Sequence, residues 1–144
     1  MKQQIAVRRL LLDLNILLDV VLDRTEAAKA SRIWALLEAG RGQGFVPAHG
    51  FTTIHYLVAR AKGAPFASRA VDAMIQVFKV APVDENVLRR AISLNWTDFE
   101  DAVCAAAAQA CHCDAIVTRD PRGFVGSPVK VIDAATAVAL IAAE

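Results

Sequence analysis

LLLDLNILLDVVL, residues 10–22, is the stretch on which the fold turns. Leu10, Leu11 and Leu12 form an apolar run short enough for a strand buried in a parallel sheet, and residues 8–13 are its expected span. Asp13 stops the run, and Asn15 follows two residues later. Ile16, Leu17, Val20 and Val21 then recur at helical spacing, which predicts a helix directly after the strand.

The same alternation continues outward. A second helix is expected from about Thr25, as N-cap, to Ala39, with Ala28, Ile33, Trp34, Leu36 and Leu37 on its apolar face. Gly40, Gly42 and Gly44 should break it before the strand candidate Phe45-Val46-Pro47. His49–Ala61 reads as a helix with Ile54, Leu57, Val58 and Ala61 on one stripe. Gly63-Ala64-Pro65 separates it from another helix at about residues 66–77. Lys79–Val83 is a short strand cut by Pro82, and Asp84 N-caps a helix to about Leu94. Phe99–Cys111 is an alanine-rich helix, and Ala115–Thr118 a strand. A Pro/Gly-rich loop reaches Pro128, Val129–Ile132 is the last strand, and Ala134–Ala143 a closing helix. Short strands alternating with helices predict an α/β fold, a single-domain α/β/α sandwich over residues 1–144 with a short-stranded, mostly parallel central sheet. Sites in such sheets form beyond the C-terminal ends of the strands.

Composition agrees with one packed core. Of 144 residues, 56% are hydrophobic and only 6% aromatic, the profile of Ala/Val/Leu packing. With 16 basic and 15 acidic residues, net charge selects no partner class. No apolar run reaches the ~18–20 residues that span a bilayer, so no membrane is expected. The opening residues lack a long apolar region and meet an aspartate early, which predicts no secretory leader. Cys104 and Cys111 share a helical face, and Cys111-His112-Cys113 has no second pair to complete a zinc site. Buried thiols in a reducing, cytoplasmic setting are the reading that fits.

Four acids carry the chemical signal. Asp13 ends the first strand, Asp120 follows the strand Ala115–Thr118, and Asp98 and Asp101 lie three apart at the start of the alanine-rich helix. If that helix entry reaches the same sheet edge, the carboxylates converge and repel, raising one or more pKa values. A hard dication, Mg²⁺ or Mn²⁺, relieves this by taking oxygen ligands. Such an ion can activate water and offset charge on a phosphodiester. Each acid also has a plainer reading. Asp98 is equally a helix N-cap, a job Thr97 could share. Asp101 is favoured by the helix dipole, and Asp120-Pro121 is a turn signal. Asp13 is hardest to dismiss, since a carboxylate at the end of a buried strand is costly without a partner. Asp19 and Asp23 are expected on the solvated side of the first helix, Asp19 near enough to stay a candidate.

The segments LLLDLNILLDVVL (residues 10–22), DFEDAVCAAAAQ (98–109) and DAIVTRDPRGF (114–124) resemble the PIN-domain family in order and separation over nearly the whole chain. Many stand-alone members are toxin halves of bacterial toxin–antitoxin pairs, the VapC group, and act as Mg²⁺/Mn²⁺-dependent ribonucleases. The resemblance implies that Asp13, Asp101 and Asp120 hold the metal and that Asp98 assists. It makes Asn15 an orienting neighbour and Thr118 a hydrogen-bonding one. It also implies RNA as substrate, a small antitoxin that occludes the acidic pocket, and homodimers, which are common in the family. Arg119 and Arg122 flank the acids and are the candidate phosphate contacts; the pairs Arg8-Arg9 and Arg89-Arg90 add positive charge.

The third helix departs from the pattern. Where the family has a glutamate, this chain has Thr53, in Phe51-Thr52-Thr53-Ile54-His55-Tyr56-Leu57. A hydroxyl supplies no negative charge, so metal affinity should fall unless Asp98 compensates. His49 and His55 lie on the same helix, where a lone histidine is more often a packing or surface residue than a ligand. Two further readings follow. One is a PIN-like binding module that no longer cuts. The other is a phospho-acceptor receiver-like domain, which fits poorly because Lys130 lies within its strand and Phe45-Val46-Pro47 ends without an aspartate. The helix bearing Trp34 could join an interface, although its burial in the core is the simpler expectation.

Overall fold

Among the described residues, five short strands build the centre of the fold: β1 (Arg9–Leu12), β2 (Gln43–Pro47), β3 (Lys79–Ala81), β4 (Ala115–Val117) and β5 (Val131–Ile132). The computed structural model describes residues 9–143; Arg8 and the opening residues read for a leader lie outside the described residues. All pairings are parallel, in the order β3-β2-β1-β4-β5. The chain therefore builds outward from β1 on one side, then crosses over to lay β4 and β5 on the other. That reversal opens a crevice at the C-terminal ends of β1 and β4, the position at which doubly wound sheets place their sites.

Among the described residues, seven helices cover the sheet: α1 (Leu14–Val21), α2 (Ala27–Glu38), α3 (Ala48–Lys62), α4 (Ala64–Val77), α5 (Glu85–Leu94), α6 (Phe99–Ala110) and α7 (Ala134–Ala142). Side chains on a strand alternate between faces, and β1 shows it. Leu10 and Leu12 join the core formed with α1, α2, α3, α4 and α7. Leu11 enters the other core, with α5 and α6. The result is three layers, α/β/α. In α6 the residues Ala102 and Ala105–Ala108 are all buried; their small side chains let its backbone approach the sheet closely, which brings its N-terminus to the crevice.

Several local expectations are corrected. Thr25 does not cap α2, which starts at Ala27 behind Glu26 without a side-chain cap. Asp23 takes a left-handed turn (φ 50°) after α1, and residues 24–26 are spent in that turn. The buried face of α2 is Ala30, Ile33 and Leu37, with Ala28 exposed. Trp34 is half-buried and meets Phe78 edge-on at 4.9 Å. On α3 the buried stripe is Phe51, Ile54 and Val58, whereas Leu57 and Ala61 face outward. Gly44 is a β2 residue, not a breaker: a Cβ there would lie 2.8 Å from both Leu37 Cδ1 and Phe78 Cδ1. β5 starts only at Val131 because the Ser127 hydroxyl donates to the Val129 carbonyl at 2.6 Å and accepts its N–H at 3.1 Å. Among the described residues, no helix is long and apolar enough to cross a membrane.

Candidate active site

The crevice is built first by register. Leu12 pairs with Val117, and the Asp13 N–H donates to the Val117 carbonyl at 2.9 Å, carrying the ladder one residue past β1. Asp13 and Thr118 thus emerge side by side from neighbouring strands. Asp13 N-caps α1: its Oδ1 accepts the Leu14 N–H at 2.9 Å. Its Oδ2 accepts the Thr118 hydroxyl at 2.9 Å. Thr118 Oγ1 in turn accepts the Asp120 N–H at 3.2 Å. One hydroxyl therefore links the first acid to the backbone of the last. Asp13 is 8% exposed, and burial pushes its pKa up despite these bonds; Asp98 adds to the rise and Arg119 opposes it.

The other acids arrive from α6 and from the loop after β4. Asp98 caps α6, its Oδ1 accepting the Asp101 N–H at 3.1 Å. Asp101, on the first turn of α6, has its pKa pushed up to about 7, by burial first and then by the negative charge of Asp98, Asp13, Glu100 and Asp120. The short 3₁₀ turn Pro121–Phe124 closes over it, and a Cβ on Gly123 would sit 3.1 Å from Asp101 Oδ2. Asp120 is exposed and receives Arg122 Nε at 3.0 Å. The fold therefore brings Asp13, Asp98, Glu100 and Asp120 within electrostatic reach of Asp101. Cys104, one helical turn below Asp101, is buried beneath them. Burial first, and then the negative charge of Asp13, Glu100, Asp101 and Asp98, raises its thiol pKa, so it stays protonated and inert. Cys111 and Cys113 lie at the opposite end of the sheet, where the Arg9 side chain donates to the Cys111 carbonyl at 2.6 Å. Burial pushes Cys113 up to about 12. All three cysteines are free thiols.

Thr53 lines a recess of about 380 Å³ with His49, Val83, Leu88, Phe99, Glu100 and Val103. Glu100 Oε2 lies 3.4 Å from His49 Nε2, although neither ring nitrogen makes a geometrically sound hydrogen bond. The carboxylate presented toward α3 is thus Glu100, from the neighbouring helix, whereas Asp98 is committed to its cap. Sequence reasoning missed Glu100; its signal was the acid-dense run Asp98-Phe99-Glu100-Asp101. His55 faces Ser68 on α4, with Nε2 3.2 Å from the hydroxyl, a packing role.

Asp19 contradicts its expected place on the solvated side of α1: it is 1% exposed. Arg119 Nη1 approaches its Oδ1 at 3.3 Å and Arg24 Nη1 at 3.7 Å. Neither contact has hydrogen-bond geometry, and both carboxylate oxygens are buried without such a bond. Arg24 also reaches Asn15 Oδ1 at 3.4 Å. Asp23, by contrast, is exposed. The signal that could have exposed Asp19 was its position inside the apolar run Ile16–Val21.

The oxygen-only donor set at the crevice has the chemistry of a site for a hard dication. Among the described residues, no three His, Cys, Asp or Glu side chains are already arranged to hold a metal ion. Asp98 and Asp120 are turned to their own partners, and adjacent carboxylates repel when nothing offsets their charge. The residues fit such an ion by charge and donor type: burial first, and then the negative charge of Asp98, Asp13, Glu100 and Asp120, raises the Asp101 pKa.

The family model described as PIN domain matches residues 9–122. No curated protein matches the chain in sequence. Among solved structures, DNA-bound VapBC from Salmonella typhimurium superimposes with a TM-score of 0.71 at 14% identity, over 88% of this chain and 98% of that one. VapBC2 from Rickettsia felis, bound to a DNA fragment of its promoter, gives 0.70 at 14% identity, over 87% and 98%. VapC20 from Mycobacterium tuberculosis, a sarcin-ricin loop cleaving toxin, gives 0.68 at 17% identity, over 85% and 98%. At these identities the likeness is one of fold.

Proposed function

The chain belongs to the PIN domain family, and on that premise we propose that it is a divalent-metal-dependent endoribonuclease, the toxin half of a toxin–antitoxin pair. The observation that carries this reading is Asp101, pushed up to about 7 by burial first and then by the negative charge of Asp98, Asp13, Glu100 and Asp120. Asp13, Asp101 and Asp120 would hold Mg²⁺ or Mn²⁺, with Asp98 assisting. When bound, the ion supplies Lewis acidity that activates water and offsets charge on the phosphodiester. The protein's part is positional. Thr118 fixes the Asp13 carboxylate and the start of the Asp120 loop. Asn15 orients the rim, and Arg119 and Arg122 meet phosphate oxygens of the RNA.

The partners proposed are a small antitoxin covering the acidic crevice and a second copy of this chain. The VapBC complexes of like fold support the first. Free thiols suit a reducing cytoplasm. The test is purified protein with Mn²⁺ on single-stranded and structured RNA: wild type should cut and Asp13→Ala should not, and equal inertness of both refutes the proposal. Thr53, in place of the family's glutamate, favours a second reading, a module that binds without cutting. Strong metal-dependent cleavage appearing only in Thr53→Glu would support that reading; robust cleavage by wild type excludes it.

A further inference from the structure

Asp19 is a buried carboxylate that the acidic site does not use, and its two cations come from different parts of the fold. Arg24 follows α1 closely in sequence, whereas Arg119 comes from the loop after β4, next to Asp120. A nearby arginine is enough to neutralise a buried acid, so the second guanidinium calls for its own account. Arg119 keeps 39% of its side chain exposed. It lines a cleft of about 420 Å³ with Glu26, Lys29, Asp133, Ala134 and Ala135. On its inner side it is close enough to influence the charge of Asp13. Glu26 and Asp133 offset Lys29 and Arg119 in this cleft, so its formal charge alone draws no polyanion. A guanidinium is a planar fork of five donors: one Nη can face Asp19 while the others remain open to an incoming phosphate.

Resting on the ribonuclease reading, we propose that Asp19 is a positioning residue that holds Arg119 against the wall of the acidic crevice, so that the free edge of its guanidinium contacts a phosphate of the bound RNA strand. A free arginine explores many rotamers and must lose that freedom on binding; the buried carboxylate removes the loss beforehand. Asp19 touches no substrate, and of its two cations it is Arg119 through which it acts on the strand.

The test exploits the sign of the charge change. Asp19→Asn makes the protein more positive by one, which on electrostatic grounds alone strengthens binding to a polyanion. Loss of positioning does the opposite. Binding of a fluorescein-labelled single-stranded RNA is followed by anisotropy with the full chain in EDTA, over a series of KCl concentrations. Asp19→Asn should bind roughly tenfold more weakly, the loss of one charge-assisted contact, with a salt slope shallower by about one. Arg119→Gln should do the same, and the double variant should be no weaker than Arg119→Gln alone. Equal or tighter binding by Asp19→Asn, or additive losses in the double variant, overturns the proposal while leaving the nuclease reading intact.

A second measurement on the wild type covers the case in which Asp19→Asn does not fold. The Arg119 Nε–Hε resonance should show hindered guanidinium rotation in the free protein and shift when RNA is added. An averaged signal, or one that RNA leaves unmoved, overturns the proposal. Failure of the wild type to bind or cut RNA removes the ribonuclease reading, and the assigned role of Asp19 falls with it.

Discussion

Replacing Thr118 by valine removes one hydroxyl and keeps the side-chain volume, so its effect can be worked from the contacts it makes. Thr118 is 1% exposed. Its hydroxyl donates to Asp13 Oδ2 at 2.9 Å and accepts the Asp120 N–H at 3.2 Å. Thr118→Val leaves the buried Asp13 carboxylate with only the Leu14 N–H among its described hydrogen bonds. A hydrogen bond to a charged group contributes about 1.5–3 kcal/mol, so metal-free protein near pH 8 should lose about 2 kcal/mol. At roughly 2–4 °C per kcal/mol for a chain of this size, Tm should drop by roughly 4–8 °C.

The sign with pH follows from Asp13. Its folded pKa is raised from 3.8, and the Thr118 bond is the largest influence holding that rise in check. The folded state therefore binds the proton more tightly than the unfolded chain, and stability declines as pH climbs from the ordinary value through the folded one. Valine raises the folded pKa further and deepens that decline. Urea unfolding in EDTA should show a small difference between variant and wild type near pH ~4 and the full loss near pH ~8, where the carboxylate must ionise. Thr118→Ser, which keeps the hydroxyl, should show little of this pH dependence. A neutral Thr118→Val near pH 8, or a loss as large in acid as in base, refutes the reasoning.

Asp101→Asn, which deletes the group pushed up to about 7, should stabilise metal-free protein near pH 8 by about 1 kcal/mol after allowance for solvent screening. It should also abolish any rise in Tm caused by Mn²⁺, checked by thermal unfolding with and without the ion. Asp98→Asn keeps the cap on Asp101 N–H while removing a charge, so it should unfold no earlier than wild type. Asp98→Ala, by contrast, should cost about 1 kcal/mol through the lost cap, read by urea titration. Gly44→Ala drives a methyl group to 2.8 Å from Leu37 and Phe78, and should destabilise by about 1–3 kcal/mol through overpacking, visible as a lower urea midpoint.

Much of the local structure was legible because its causes act over a few residues. Leu10–Leu12 reads as a buried strand since an apolar run of that length has few other stable settings, and Asp84 reads as a cap since a short acid before a helical pattern satisfies free N–H groups. The errors came where a neighbouring element selected the face. Leu57 and Ala61 fit the helical period of α3 beside Ile54 and Val58, yet that helix buries Phe51 with Ile54 and Val58 and leaves Leu57 and Ala61 outside. Asp19 looks like a solvated charge until Arg119 is seen to arrive from a hundred residues away.

From the sequence alone came the alternation of strands and helices, the end of the first strand at Asp13, and the cap that starts α5, all products of short-range periodicity and backbone hydrogen bonding. The order of strands in the sheet was decided only in three dimensions, because hydrophobic period records which face is buried and not which strand lies alongside. That order sets β4 beside β1, and Thr118 thereby reaches Asp13 across a separation of 105 residues. The same packing decided which acids share a crevice and which one, Asp19, is sealed behind it.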